Sequence, residues 1–116
     1  MEKQTHPLDF VFQNGRVAGP LRHGVTIEGT VHKSFELREA TVEDLLDAES
    51  EADVTKPLAF NAQLLVRQLI RLGSYEGPFT INMIKRMKPV DWRILRAAQT
   101  EVDAMGEGGP ASAPAS

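Results

Sequence analysis

The chain has 116 residues, which fits one domain, and its hydrophobic (41%) and charged (25%) fractions are those of an ordinary globular protein. The absence of cysteine excludes a disulfide framework and thiolate metal ligands. No signal-peptide pattern follows Met1, and polar residues interrupt the longest apolar segment, residues 58–72. We therefore expect a soluble, cytoplasmic protein that does not cross a membrane.

The net charge of −3 is unevenly distributed along the chain. Residues 41–55 carry six acidic side chains and no basic one, whereas residues 56–96 carry eight basic side chains against two acidic ones. The two groups can pair within the protein or present oppositely charged faces to partners. Solvated surfaces are the favoured interpretation, because charge runs in small helical domains usually face water.

The N-terminal third has the pattern of short β-strands. Apolar and polar residues alternate from Leu8 to Gln13, and Asn14-Gly15 then predicts a hairpin turn, because both residues tolerate positive φ. Gly19-Pro20 and His23-Gly24 are expected to interrupt the chain before a second short strand at residues 25–27.

The second strand leads through a Glu28-Gly29 turn to a strand ending at Leu37. We expect these strands to form a small antiparallel sheet with one face open to solvent.

The period changes from strand to helix after Leu37. Thr41 is suited to cap a helix, and Asp44, three residues later, gives a shortened capping box in the first turn. Val42, Leu45 and Leu46 then begin an apolar face. This first helix is expected to reach about Ala52.

Three further helical segments follow. Residues 58–72 carry an apolar stripe at four-three spacing that includes Leu65, and we expect this helix to hold the centre of the core and to stop at Gly73. Thr80 is expected to cap a short third helix, and Pro89 to begin the last one, with Asp91 in its first turn.

The predicted fold class is α+β, with a small N-terminal antiparallel sheet followed by three to four helices. Residues 1–105 are predicted to form a single domain, with a β part at about 8–38 and a helical part at about 41–105. Residues 106–116 are rich in Gly, Ala, Pro and Ser and are predicted to be a disordered tail.

No motif indicates catalysis, a cofactor or a metal. The histidines His6, His23 and His32 fit no ligand spacing and are expected to lie on the surface, and no glycine-rich segment joins a strand to a helix as a phosphate loop does. We predict a protein that is not an enzyme and has no catalytic, cofactor-binding or metal-binding residues.

Trp92, Arg93 and Arg96 are the candidate partner-binding residues. A tryptophan beside arginines has the composition of an interface hot spot, although completion of a core edge explains it equally well. Lys88-Pro89 could also join two helices in a helix-turn-helix arrangement. Because the pI is about 5.6, nucleic-acid binding is not expected.

The order of these elements resembles a known family. Val25 to Gly29 forms a strand and turn, the segment Leu37-Arg38-Glu39-Ala40-Thr41-Val42-Glu43-Asp44-Leu45 follows, and further helices complete the pattern. From about Leu21 to Met105 the chain looks like the tail assembly chaperones of Mu-like and P2-like bacteriophages and prophages.

This resemblance implies a protein that binds the tape-measure protein and keeps it soluble during tail-tube assembly. It implies further candidate partners, namely tail-tube subunits and a longer form of the protein made by ribosomal frameshifting. The implied location is the bacterial host cytoplasm and not the mature virion. The alternatives are a small helix-turn-helix-like DNA-binding regulator and a structural component of the phage tail.

Overall fold

The computed structural model of the protein describes residues 6–53 and 55–106. Within these residues the elements follow in the order β1 (Val11–Gln13), β2 (Arg16–Ile27), β3 (Thr30–Arg38), α1 (Val42–Glu51), α2 (Pro57–Gln68), β4 (Leu69–Leu72), α3 (Ile81–Lys85) and α4 (Pro89–Gly106). The predicted α+β class, with an N-terminal antiparallel sheet followed by helices, is confirmed.

The sheet is antiparallel throughout and has the strand order β1-β2-β3-β4. The two predicted turns are present. Asn14 and Gly15 have φ values of 49° and 76°, and Glu28 and Gly29 have values of 50° and 83°. These positive angles match the right-handed twist of the flanking strands, which explains why the two hairpins form at these residues.

The second strand is longer than the sequence predicted. Gly19-Pro20 and His23-Gly24 were expected to end strands, but both lie inside β2, which pairs with β3 on either side of a register shift between Pro20 and Val25. The expected interruption is therefore wrong. The chain continues because the shift acts as a bulge, which local sequence does not distinguish from a break.

A buried carboxylate accepts hydrogen bonds from the bulge of β2. Asp91, in the first turn of α4, accepts from the backbone N–H groups of Arg22 at 2.7 Å, His23 at 3.1 Å and Gly24 at 2.9 Å. Gly24 has a φ of 82°, and a Cβ there would lie 2.6 Å from the carbonyl oxygen of His32. Through its hydrogen bonds from these three backbone N–H groups, Asp91 fixes the start of α4 against the sheet.

The predicted helix over residues 58–72 is wrong at its C-terminal end. Helix α2 stops at Gln68, and Leu69–Leu72 forms β4, which pairs with β3 through Leu37 opposite Leu69 and Phe35 opposite Leu72. A short apolar run fits either period, and here the open edge of β3 supplies the hydrogen bonds. Gly73 does adopt a positive φ of 60°, but it follows a strand and does not end a helix.

The core lies between one face of the sheet and α4, with α2 at its side. The sheet and α4 contribute most of its buried side chains, which include Val17, Leu21, Phe35, Leu37, Ile94, Leu95, Ala98 and Val102. Leu65 is fully buried, as predicted, whereas Leu58, the first residue of the expected stripe, is 67% exposed. The core is thus centred on α4 and the sheet more than on α2.

The remaining helix ends lie close to the predicted residues, but the predicted cap at Thr80 is wrong. Thr80 precedes α3, but its side chain makes no capping hydrogen bond. Gly106, which was assigned to the predicted tail, is the last residue of α4, and residues 107–116 of that tail lie outside the described residues. None of the helices that the structure describes combines the length and apolar content of a membrane span.

Replacing Leu65 by alanine should lower the free energy of unfolding by about 2–5 kcal/mol, because it removes a fully buried side chain. Leu58→Ala is the matched control, since the same substitution in the same helix removes an exposed side chain and should change stability by less than about 0.5 kcal/mol. Chemical denaturation measures both. Equal effects of the two substitutions would contradict the described packing of α2.

Candidate functional site

Arg38, at the end of β3, connects this strand to two helices. Its guanidinium group donates to both carboxylate oxygens of Asp44 in α1, at 2.7 and 3.1 Å. It also donates to the backbone carbonyl oxygens of Glu39, at 2.9 Å, and of Arg67 near the end of α2, at 2.7 Å. Since the planar guanidinium matches the carboxylate in two parallel hydrogen bonds, the direction in which α1 leaves the sheet is fixed.

The capping box predicted from Thr41 and Asp44 is present. The Thr41 hydroxyl accepts from the Asp44 backbone N–H at 3.1 Å, and the Asp44 carboxylate accepts from the Thr41 backbone N–H at 2.9 Å. The hydrogen bonds from Arg38 hold the pKa of Asp44 below its ordinary value against the opposing effect of burial, and the bonds from Thr41 lower it further. Asp44 is therefore ionised at neutral pH.

This attachment determines which face of α1 meets solvent. Asp44 and Ala48, four residues apart, are the buried residues of the helix. The predicted apolar face exists but points outward, because Val42 is 70%, Leu45 41% and Leu46 60% exposed. We call these three residues the α1 stripe. Their spacing of three and four residues places them on one side of the helix.

The α1 stripe belongs to a helical hairpin, because α1 packs mainly against α2. Leu58, in the first turn of α2, adds a fourth exposed apolar residue to this hairpin. Large exposed apolar residues grouped on one element are typical of a surface that binds a partner.

Acidic side chains accompany the α1 stripe. Glu43, Asp47, Glu49 and Glu51 are exposed, and none of them takes part in the ion pairs that the structure describes. Asp44 does pair, but with Arg38 and not with the basic segment 56–96. Internal pairing of the acidic and basic segments is therefore not found among the described residues, and the acids form a solvated surface around the stripe.

A buried polar network joins the helical hairpin to α4. The side-chain amide of Gln68 donates to the Arg38 carbonyl oxygen at 2.9 Å, and the amide of Gln99 donates to the side-chain oxygen of Gln68 at 2.8 Å. Asp103 accepts from the backbone N–H of Ala40 at 3.2 Å. The sequence pattern did not predict this network. Its only sign in the sequence is Gln68, a glutamine that interrupts the apolar positions of α2.

The predicted partner-binding residues Trp92, Arg93 and Arg96 lie together on α4. Trp92 is half-buried against the core, Arg96 donates to the side chain of Gln99, and Arg93 is exposed. These three residues are thus less accessible as a group than the α1 stripe. Their role in binding stays a prediction.

The histidines lie in three different environments. His6 forms a hydrogen bond with the Glu101 carboxylate at 2.8 Å, His32 is buried, and His23 is exposed. The expected surface position is therefore wrong for His32, whose ring lies against Gly73 and Tyr75. In the described ranges, no cluster of three or more His, Asp or Glu side chains is arranged to hold a metal ion.

Comparison with known protein families gives a match that covers most of the chain. The family model described as tail assembly protein gp41, Gp41_Mu, matches residues 21–111, which include the Arg38 attachment, the α1 stripe and all of α4. Neither the curated proteins nor the solved structures give a significant match.

Acid should weaken the attachment of α1. Because the pKa of Asp44 is lower in the folded protein, its contribution to stability is present above the unfolded-state pKa of about 3.9 and is lost as the pH falls through the lower folded-state value. Asp44→Asn should therefore be less stable than the wild type at pH 7, and the difference should shrink below pH 4. Urea denaturation across this range measures the effect, and a constant difference would contradict it.

Proposed function

We propose, from the premise that this chain belongs to the tail assembly protein gp41 family of Mu-like phages, that it is the chaperone of the tape-measure protein. A role in phage tail assembly follows from the family itself. The finer proposal is that the protein binds the tape-measure protein in the host cytoplasm and keeps it soluble until tail-tube subunits polymerise around it.

The exposed apolar stripe of α1 is the observation that supports a chaperone. A long helical client presents apolar faces that aggregate in water, and a small protein can cover them with an apolar surface of its own. The α1 stripe supplies such a surface while the core of the protein remains closed.

The mode of action requires association and no chemical step. One copy covers a short part of the client, so several copies along one tape-measure protein would be needed, and weak contacts would add up. Tail-tube subunits would displace the chaperone as they assemble. A protein used in this way leaves the client before the particle is complete, so it should be absent from the virion.

Co-expression with the tape-measure protein of the same phage tests the proposal. We expect the soluble fraction of the tape-measure protein to rise several-fold and the two proteins to co-purify. Leu65→Ala, which should destabilise the fold, serves as a control that lowers both effects.

Two other outcomes would contradict the proposal. Detection of the protein in purified virions by mass spectrometry at stoichiometric amounts would indicate a structural tail component. Binding to duplex DNA that weakens steeply with salt, without any gain in client solubility, would indicate a DNA-binding regulator.

A further inference from the structure

We infer that the α1 stripe with its acidic surroundings is the docking surface for a partner helix whose apolar stripe is flanked by lysine and arginine. This inference rests on the proposed function and deepens it, because it assigns the client-binding surface and the chemistry of the client segment. It places the contact on α1 and not on the tryptophan and arginines of α4.

The α1 stripe is held rigidly in spite of its exposure. The capping box closes the first turn, Arg38 attaches Asp44 to the end of β3, and α2 packs along the helix. The apolar side chains therefore stand on an ordered helix before any partner arrives. A surface ordered in advance loses little conformational entropy on binding, which favours its use as a docking site.

The α1 stripe faces solvent because of the sequence of the helix, and not because the helix packs loosely. In an amphipathic helix the large apolar residues ordinarily face the core. In α1 the inward positions are taken by a carboxylate and by Ala48, and the three large residues are displaced to the outside. With Asp44 bound to Arg38, rotating α1 to bury the stripe would break both hydrogen bonds that the carboxylate accepts from the guanidinium group.

The acidic residues define the charge of the partner. Glu43 stands one turn before Leu46 and beside the stripe, and Glu49 continues the line of the stripe one turn after Leu45 and Leu46. Neither glutamate has a basic partner among the described ion pairs. Lysine or arginine beside an apolar client stripe would meet Glu43, and a further one beyond the end of the stripe would meet Glu49, which would fix the register of binding.

A second copy of this chain does not fit the surface through its own α1, its main basic segment or its C-terminal segment. Two α1 stripes facing each other would bring like charges together, which disfavours a symmetric dimer. The densest group of basic residues, at 85–96, lies in a segment where no large hydrophobic residue is exposed, so this segment of a second copy does not offer the required combination. The C-terminal segment 107–116 contains neither a basic nor a large apolar residue, so it does not fit either.

The decisive variant replaces the stripe by alanine, V42A/L45A/L46A. Alanine is the strongest helix former, so α1 should be retained while its apolar surface is lost. The matched control is V11A/V31A, which removes two apolar side chains that are 64% and 53% exposed on the sheet. Circular dichroism and chemical denaturation of both variants check that the fold is intact.

Two binding measurements use these proteins. The first is co-expression solubility of the tape-measure protein. The second is titration with a synthetic helical peptide that carries a leucine stripe flanked by lysines, compared with the same peptide flanked by glutamates. We expect the wild type to prefer the lysine peptide, and the stripe variant to bind it at least about tenfold more weakly while the control stays within about twofold.

The charge contribution is measured separately. E43Q/E49Q should weaken binding of the lysine peptide and make binding less dependent on salt. The variant lacks the attraction between glutamate and lysine charges, which is the interaction that salt screens. E28Q/E76Q, which neutralises two exposed glutamates elsewhere, is its control and should leave binding unchanged.

Three results would overturn the inference. Unchanged client and peptide binding by the stripe variant would remove α1 from the site, and loss of binding in Arg93→Ala instead would move the site to α4. Sedimentation showing that the stripe variant abolishes a wild-type dimer would make a second copy the occupant. If the wild type fails to solubilise the tape-measure protein but prefers the lysine peptide through α1, the docking surface stands and the proposed function is rejected.

Discussion

The Arg38 guanidinium group forms hydrogen bonds to three parts of the chain: the backbone of Glu39 directly after β3, Asp44 in α1 and Arg67 in α2. Its side chain is 38% exposed, so the ion pair by itself contributes little to stability. The geometric consequence is larger. Fixing Asp44 toward the protein fixes the rotation of α1 about its own axis, and that rotation decides which of its side chains face solvent.

Asp91 and Gln68 fix the position of α4, as Arg38 fixes the rotation of α1. Asp91 holds the first turn of α4 against the bulge of β2, and Gln68 connects the end of α2 to β3 and to Gln99 of α4. Apolar packing is not directional, so by itself it would allow α4 to take several positions on the sheet. Buried polar groups must find their partners, so they select one arrangement among them.

Sequence reasoning succeeded where one local rule decides the structure. The capping box at Thr41 and the two hairpin turns depend on neighbouring residues alone, and all three are present.

Sequence reasoning failed where a distant segment of the chain decides the structure. Residues 69–72 form a strand because the edge of β3 is open to them, and β2 continues past Pro20 because Asp91, far along the chain, accepts its backbone N–H groups. The outward direction of the α1 stripe depended equally on a contact between helix and strand. An apolar face in a sequence therefore marks a surface to be covered, and does not say whether the core or a partner covers it.

The two outermost strands are short, with three residues in β1 and four in β4, on either side of the long β2–β3 pair. A long open edge would accept additional strands from any extended chain, including aggregating copies of the protein itself. The short β1 covers only residues 16–18 of β2, but farther along β2 the backbone N–H groups of Arg22, His23 and Gly24 are bonded to Asp91. An added strand therefore meets donors that are already bonded, and growth of the sheet at this bulge is blocked.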